Sequence, residues 1–179
     1  MLCGANTDMS KFKFRILGMD DWRLYREVRL SSLKDSPDSF GSTYAREIEL
    51  SDLEWQSRLD LNSQAKSALP LVAEIDGHVV GLAWGLIHEP DTKVVHIYQM
   101  WVSPAERGKG IGKALLHEIE TWAKGRGCNL LALDVTTTND AAVGLYLSSG
   151  FVPVGQQGEL RAGSTLKVQP MIRELHCAA

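Results

Sequence analysis

Gly108, Gly110 and Gly112 stand beside Arg107, Lys109 and Lys113, between an apolar run and a stretch with helical periodicity. Glycine lets backbone N–H groups crowd around a ligand where a side chain would obstruct it. A helix beginning at Ile111 adds unpaired amide donors and the positive end of its dipole. A strand–loop–helix junction of this composition suits a phosphate-bearing ligand. The charges of Arg107 and Lys109 support that use, and Lys113 follows about one turn later.

Two phosphate-binding patterns fail here. A Walker A loop places four residues between its first glycine and the Gly-Lys pair, then Ser or Thr for magnesium. Here three residues separate Gly108 from Gly112-Lys113, and Ala114 follows. A dinucleotide loop reads G-x-G-x-x-G, whereas this one reads G-x-G-x-G, with the third glycine one place early. Asp134 does lie about 20 residues on, where a ribose-binding acid would sit. But a dinucleotide-binding domain should begin with this unit, and here the unit falls past the middle of the chain.

A third pattern fits. Val102-x-Pro104-x-x-Arg107-Gly108-x-Gly110-Ile111-Gly112, with Leu115 on the helix beyond, resembles the acetyl-coenzyme A loop of the GNAT superfamily of N-acetyltransferases. A second block, Asn139-Asp140-Ala141-Ala142-Val143-Gly144-Leu145-Tyr146-Leu147-Ser148-Ser149-Gly150-Phe151, is similar to the family's N-x-x-A-x-x-L-Y-x-x-x-G-F segment. The resemblance covers residues 12–175. It departs from the family pattern at Gly144, inside the second helix, and in a long loop near Gly158.

The resemblance implies acetyl-CoA as cofactor, held by the amides of Gly108, Lys109, Gly110, Ile111, Gly112 and Lys113 with Arg107 in support. It implies that the pantetheine arm pairs with backbone at Met100, Trp101 and Val102. The Met100 N–H then faces the thioester oxygen as a one-donor oxyanion site. Tyr146 takes the position of the family's general acid, for protonation of the departing thiolate. Asn139 caps its helix and is placed to bond the cofactor arm beside Ala142. His96 lies near the position where many relatives carry a glutamate base, with His88 and Glu89 in reserve; an amine arriving neutral would need no base. The first two helices usually line the acceptor cleft, which makes Arg29, Phe40, Tyr44 and Trp55 candidates there. The expected function is acetyl transfer to a primary amine of a small molecule or a peptide, by direct attack in a ternary complex. The alternative is a non-catalytic acyl-CoA-binding module, which would need neither Tyr146 nor a base.

These residues require elements to position them. Phe12 to Leu17 alternates as a strand, and Asp20-Asp21 caps a helix carrying Trp22, Tyr25, Val28 or Arg29, and Leu33. Ser51 and Glu54 form a capping box for a helix to Leu61, with Leu53, Trp55 and Leu59 as its apolar contacts. Leu69–Ile75 and Val79–Ile87 flank the hairpin signal Asp76-Gly77, and Val94–Val102 continues the meander. Ile111, Leu115, Ile119 and Trp122 form one helical stripe, stopped by Gly125 or Gly127. Leu130–Val135 then returns as a parallel strand. Asn139 begins a helix that Gly150 ends, a strand runs from Phe151 to Gly155, and the last spans Thr165–Leu175. The reading is a single α/β domain over residues 11–176, with a mixed sheet of about seven strands and helices on both faces. The family layout adds a splay between two central strands at the cofactor site.

Composition agrees with such a domain. The 179 residues carry 44% hydrophobic and 23% charged side chains, ordinary for a globular protein. A formal charge of −3 argues against a nucleic-acid partner, and no apolar run is long enough for a membrane span. Cys3, Cys128 and Cys177 are few and widely spaced, which points to reduced thiols in the cytoplasm. No cysteine or histidine pair has zinc-ligand spacing. Residues 1–10 lack a signal-peptide apolar core and are expected to be a disordered tail. Late strands of this fold often supply an interface, which makes a homodimer a candidate assembly.

Overall fold

The computed structural model describes residues 12–61 and 67–175, so the expected tail lies outside the described residues. The chain runs β1 (Lys13–Ile16), α1 (Trp22–Asp35), α2 (Tyr44–Ile48), α3 (Asp52–Leu59), β2 (Ser67–Ile75), β3 (His78–Ile87), β4 (Val94–Val102) and α4 (Ile111–Gly125). It continues through β5 (Leu130–Thr136), α5 (Asp140–Ser148), β6 (Val152–Pro153), β7 (Gly158–Glu159) and β8 (Lys167–Glu174). The strands form one mixed sheet in the order β1-β2-β3-β4-β5-β8-β6, with β7 paired to β8. The main order thus holds the roughly seven strands expected, and among the described residues the long loop near Gly158 adds an eighth, short one. Among the described residues, no helix is long and apolar enough to cross a membrane.

Two cores sandwich the sheet. On one face Ile111, Leu115 and Ile119 of α4 and Tyr146 of α5 pack on Leu71, Ala83, Val95, Ile97 and Leu131. On the other, Tyr25, Leu33, Trp55 and Leu59 of α1 and α3 pack on Val72, Leu82, Trp84 and Trp101. The α4 stripe is buried as its spacing requires, with Trp122 half-buried at its end. The β2–β3 hairpin turns on Asp76 (φ 49°) and Gly77 (φ 79°), both in the left-handed region that a tight turn demands.

Local chemistry departs from expectation at a few points. Asp21 does not cap α1 with its side chain; its carboxylate instead accepts from the Gly18 N–H and pairs with Arg15. The Ser51–Glu54 capping box forms as read, but Leu53 is 75% exposed and contributes nothing to packing. Leu53 falls in the first turn, on the side of α3 away from Trp55 and Leu59. The short α2, capped by Thr43 accepting from the Arg46 N–H, has too few residues to show a period. The strand expected over Phe151–Gly155 shrinks to Val152–Pro153.

Candidate functional site

β4 pairs with β5 in parallel only at Val94–His96 against Leu130–Ala132. Beyond that point β4 stays with β3, while β5 follows β8 as far as Thr136. The facing edges therefore part, leaving backbone groups of both strands free to bond a ligand.

A bulge re-aims β4 inside this gap. Tyr98 stands opposite Trp84 and Trp101 opposite Leu82, so Gln99 and Met100 together face Ala83. Gln99 takes φ 54°, a left-handed conformation that costs a non-glycine residue energy and persists where surroundings hold it. One holder is Tyr25, whose buried hydroxyl donates to Gln99 Oε1 at 3.0 Å. The extra residue reverses the alternation of the strand. Val95 and Ile97 face the α4 core, and after the bulge Met100 and Val102 do so, while Trp101 turns to the α1 side.

The loop after β4 has the conformation its glycines allow. Gly108 and Gly110 sit at φ 76° and 86°, where L side chains are strained. Gly110 is the N-cap of α4 and has no side chain to satisfy the first helix amides. A Cβ added at Gly108 would meet nothing within 4 Å, so the loop surface is open there. These observations fit a phosphate-bearing group held by amides at a helix N-terminus. Gly112 matters for packing instead, because a Cβ there would lie 3.1 Å from Leu145 Cδ2; its absence lets α4 and α5 approach.

The cations beside the loop are engaged locally. Arg107 donates through Nε to the Val102 carbonyl at 3.0 Å and through a terminal nitrogen to the Asp35 carboxylate. Asp35 also accepts from Trp101 Nε1 at 2.9 Å, which joins the start of the loop to the end of α1. Its neighbours' hydrogen bonds, from Ser36, Trp101 and Arg107, outweigh burial and hold its carboxyl below the usual range. Lys109 pairs with Glu106 at 2.9 Å, and Lys113 is exposed.

The splay opens into a cavity of about 810 Å³. Met100, Tyr146, Asn139, Ala142 and His96 line it, whereas Trp101 and Val102 do not. Tyr146 is buried, edge-on to Phe151 at 5.8 Å. No described residue hydrogen-bonds its hydroxyl, and burial pushes the phenol above its ordinary pKa. Asn139 is committed to structure: Oδ1 accepts from the Ala142 N–H at 3.1 Å, and Nδ2 donates to Ser39 Oγ at 3.1 Å.

His96 reaches the cavity from β4, half-buried. Burial, and secondly the nearby His88, lower its pKa from the usual 6.5, so the imidazole is neutral at pH 7. Its ring lies 5.1 Å from His88 and stacks on Tyr98 at 6.3 Å. His88 Nε2 and the Tyr98 hydroxyl share a 3.0 Å hydrogen bond. His88 and Glu89, the reserve bases, lie outside the cavity lining.

Of the acceptor-side candidates, Arg29 and Phe40 line the cavity. Trp55 is fully buried against Tyr25 at 5.5 Å, and the Tyr44 ring lies under Lys34 Nζ at 5.1 Å. Those two belong to the packing rather than to the lining. Sequence reasoning missed Tyr25, Gln99, Glu47 and Arg58 as lining residues. Tyr25 reads as one more apolar helix position, and a bulge has no signature in an alternating strand. Glu47 and Arg58 look like ordinary solvated charges until the fold buries the carboxylate.

Comparisons with known proteins agree with this geometry. The model of the acetyltransferase (GNAT) family matches residues 30–151. A mycothiol acetyltransferase from Stackebrandtia nassauensis is 32% identical over 136 residues, covering 75% of this chain and 42% of that protein. The chain spans less than half the length of the curated relatives it matches. The structure of an acetyltransferase of the GNAT family from Streptococcus pneumoniae superposes with a TM-score of 0.76 at 25% identity, covering 93% of this chain and 100% of that one. A putative acetyltransferase from Salmonella typhimurium, solved with its cofactor acetyl-CoA, shares the fold at TM-score 0.75 and 20% identity, covering 94% and 96%. With its glycine loop, splayed strands and bulge in this arrangement, the chain belongs to the GNAT family of acetyltransferases.

Proposed function

We propose that the protein transfers an acetyl group from acetyl-CoA to a primary amine of a small molecule or peptide, by direct attack within a ternary complex. The observation that carries the reading is the convergence on one cavity of a bulged strand, a tyrosine hydroxyl with no partner among the described residues and a half-buried histidine, on the strand that leads into an uncapped glycine loop. Bound there, acetyl-CoA supplies the activated acyl thioester. The amides from Gly108 to Lys113 hold its diphosphate, and the open edge of β4 at Met100–Val102 bonds the pantetheine arm as an added strand would.

Each residue then meets one demand of the chemistry. The Met100 N–H is the donor for the thioester oxygen, a contact worth ~3 kcal/mol in other enzymes. His96, neutral at pH 7, accepts the amine's proton, directly or through water. Tyr146 holds its proton toward the departing sulfur. Residues 11–176 act as one N-acetyltransferase domain, and the buried free thiol of Cys128 suits a reducing cytoplasm.

An acceptor screen that follows free-thiol release with acetyl-CoA tests the reading. A thermal-shift titration with coenzyme A runs beside it, since a ligand at a hundredfold excess over Kd stabilises by ~2.7 kcal/mol. Protection without thiol release, across amines of every class, would favour a non-catalytic acyl-CoA-binding module.

A further inference from the structure

On the acceptor side, the cavity wall contains a buried charge cluster that acetyl transfer itself does not use. Glu47, 2% exposed, accepts from Arg29 Nε and one terminal nitrogen, and from Arg58 at 2.7 Å. Burial pushes this carboxyl up, but the bonds and charge of Arg29, then of Arg58, outweigh it and keep Glu47 ionised. Two guanidinium charges against one carboxylate leave one positive charge in excess. Arg46 lines the same wall, and no described carboxylate pairs with it. Arg29 is 4% exposed with one terminal nitrogen unpaired among the described residues, its guanidinium lying over Phe40 at 4.6 Å. Arg58, at 32%, is the accessible member.

The acidic counterpart lies elsewhere in the lining. Asp134, on β5, is close enough to act electrostatically on both His96 and Tyr98. Its carboxylate favours a cationic amine beside the imidazole that would deprotonate it. Tyr25 and Gln99, hydrogen-bonded to each other, also line the cavity. Glu159 also lines the cavity, paired with Lys167 at 3.8 Å; apart from that pair the wall is polarised, with surplus positive charge around Glu47 and negative charge beside His96.

We propose that the acceptor is an amine that also carries a carboxylate, seated with the carboxylate on Arg58 and Arg46 and the amine between Asp134 and His96. This rests on the acetyltransferase reading above and narrows its substrate class. A guanidinium fork matches a carboxylate in plane and hydrogen-bond geometry. An amine lacking the anion forgoes that pairing and leaves the excess charge to solvent.

The test compares matched acceptors in the thiol-release assay: lysine against cadaverine, and 5-aminovalerate against butylamine. The expected result is a kcat/KM at least tenfold higher for the carboxylate-bearing member of each pair, with valerate, which lacks the amine, competing against the acceptor and not against acetyl-CoA. Arg58→Met should bring each ratio toward one, and the exposed Arg46→Met, which carries little folding risk, should reduce it in part. Equal kcat/KM within both pairs would overturn the carboxylate assignment and leave the transferase reading standing. So would ratios unchanged in both variants. Silence with every amine, from protein that binds coenzyme A, would remove the transferase reading and this assignment with it.

Discussion

Replacing Tyr146 with phenylalanine separates the chemistry of that residue from its packing. The ring is edge-on to Phe151 and buried in the α4-side core, and phenylalanine keeps both contacts. No described residue bonds the hydroxyl, so its removal strands no partner. Stability should change by no more than about 0.5 kcal/mol, which for a chain of this size is about 1–2 °C in Tm. Catalysis is different, because sulfur becomes anionic as it leaves. A phenol above its usual pKa of ~10 gives up its proton to a thiolate of conjugate acid near ~8.5 only uphill. Burial raises Tyr146 further, so the hydroxyl acts mainly as a strong hydrogen-bond donor to developing charge. A hydrogen bond to a charged group contributes about 1.5–3 kcal/mol, which is about 10- to 150-fold in rate. Steady-state thiol release should show that loss in kcat, with coenzyme A affinity by calorimetry nearly intact. Lower coenzyme A affinity with unchanged kcat would refute the reasoning and make the hydroxyl a binding group. A loss beyond ~10⁴-fold would refute the hydrogen-bond limit and require full proton transfer.

Other outcomes follow from the same structure. Glu47→Gln leaves the buried Arg29 without its anion, a change that typically costs about 3–5 kcal/mol, so thermal unfolding should begin about 10 °C lower; a shift under ~2 °C would contradict the cluster's role. Because the Glu47 carboxyl lies below its unfolded value of ~4.3, its contribution is complete above that pH and is lost as pH falls through the folded value, which acid titration of wild type against the variant will show. Gly110→Asp puts a carboxylate at the left-handed N-cap of α4, and coenzyme A affinity should fall by about a hundredfold, or ~2.8 kcal/mol, with the circular dichroism spectrum unchanged. If His96 is the base, kcat/KM rises with pH through a midpoint below 6.5 and the limb disappears in His96→Asn; a limb that survives the substitution belongs to another group.

The glycine loop and the Asn139–Phe151 block are legible in the sequence because each is local, with residue types and spacings that fall within a short stretch of chain. The same holds for α4, whose apolar stripe repeats often enough to declare a period, and for the Ser51–Glu54 capping box, a four-residue device. What the sequence conceals depends on contacts between distant segments. Gln99 can be identified as the bulge residue only once β3 supplies the register. Glu47 gains importance only when α1 and α3 bring Arg29 and Arg58 to it. Arg107 and Lys109 look free for a diphosphate along the chain, yet Asp35 and Glu106 hold them, the first from a position 72 residues earlier.

The three shared rungs between β4 and β5 make the sheet two ribbons joined at one end. One ribbon comprises β1 to β4 and the other β5, β8, β6 and β7. Local opening is easiest where few bonds cross, so the free protein should breathe along this seam before it unfolds as a whole. A ligand arm lying between the parted edges would supply the missing rungs. Cofactor binding and folding cooperativity then become one quantity, and amide hydrogen exchange along Tyr98–Val102 and Leu133–Thr136 is where that coupling would be read.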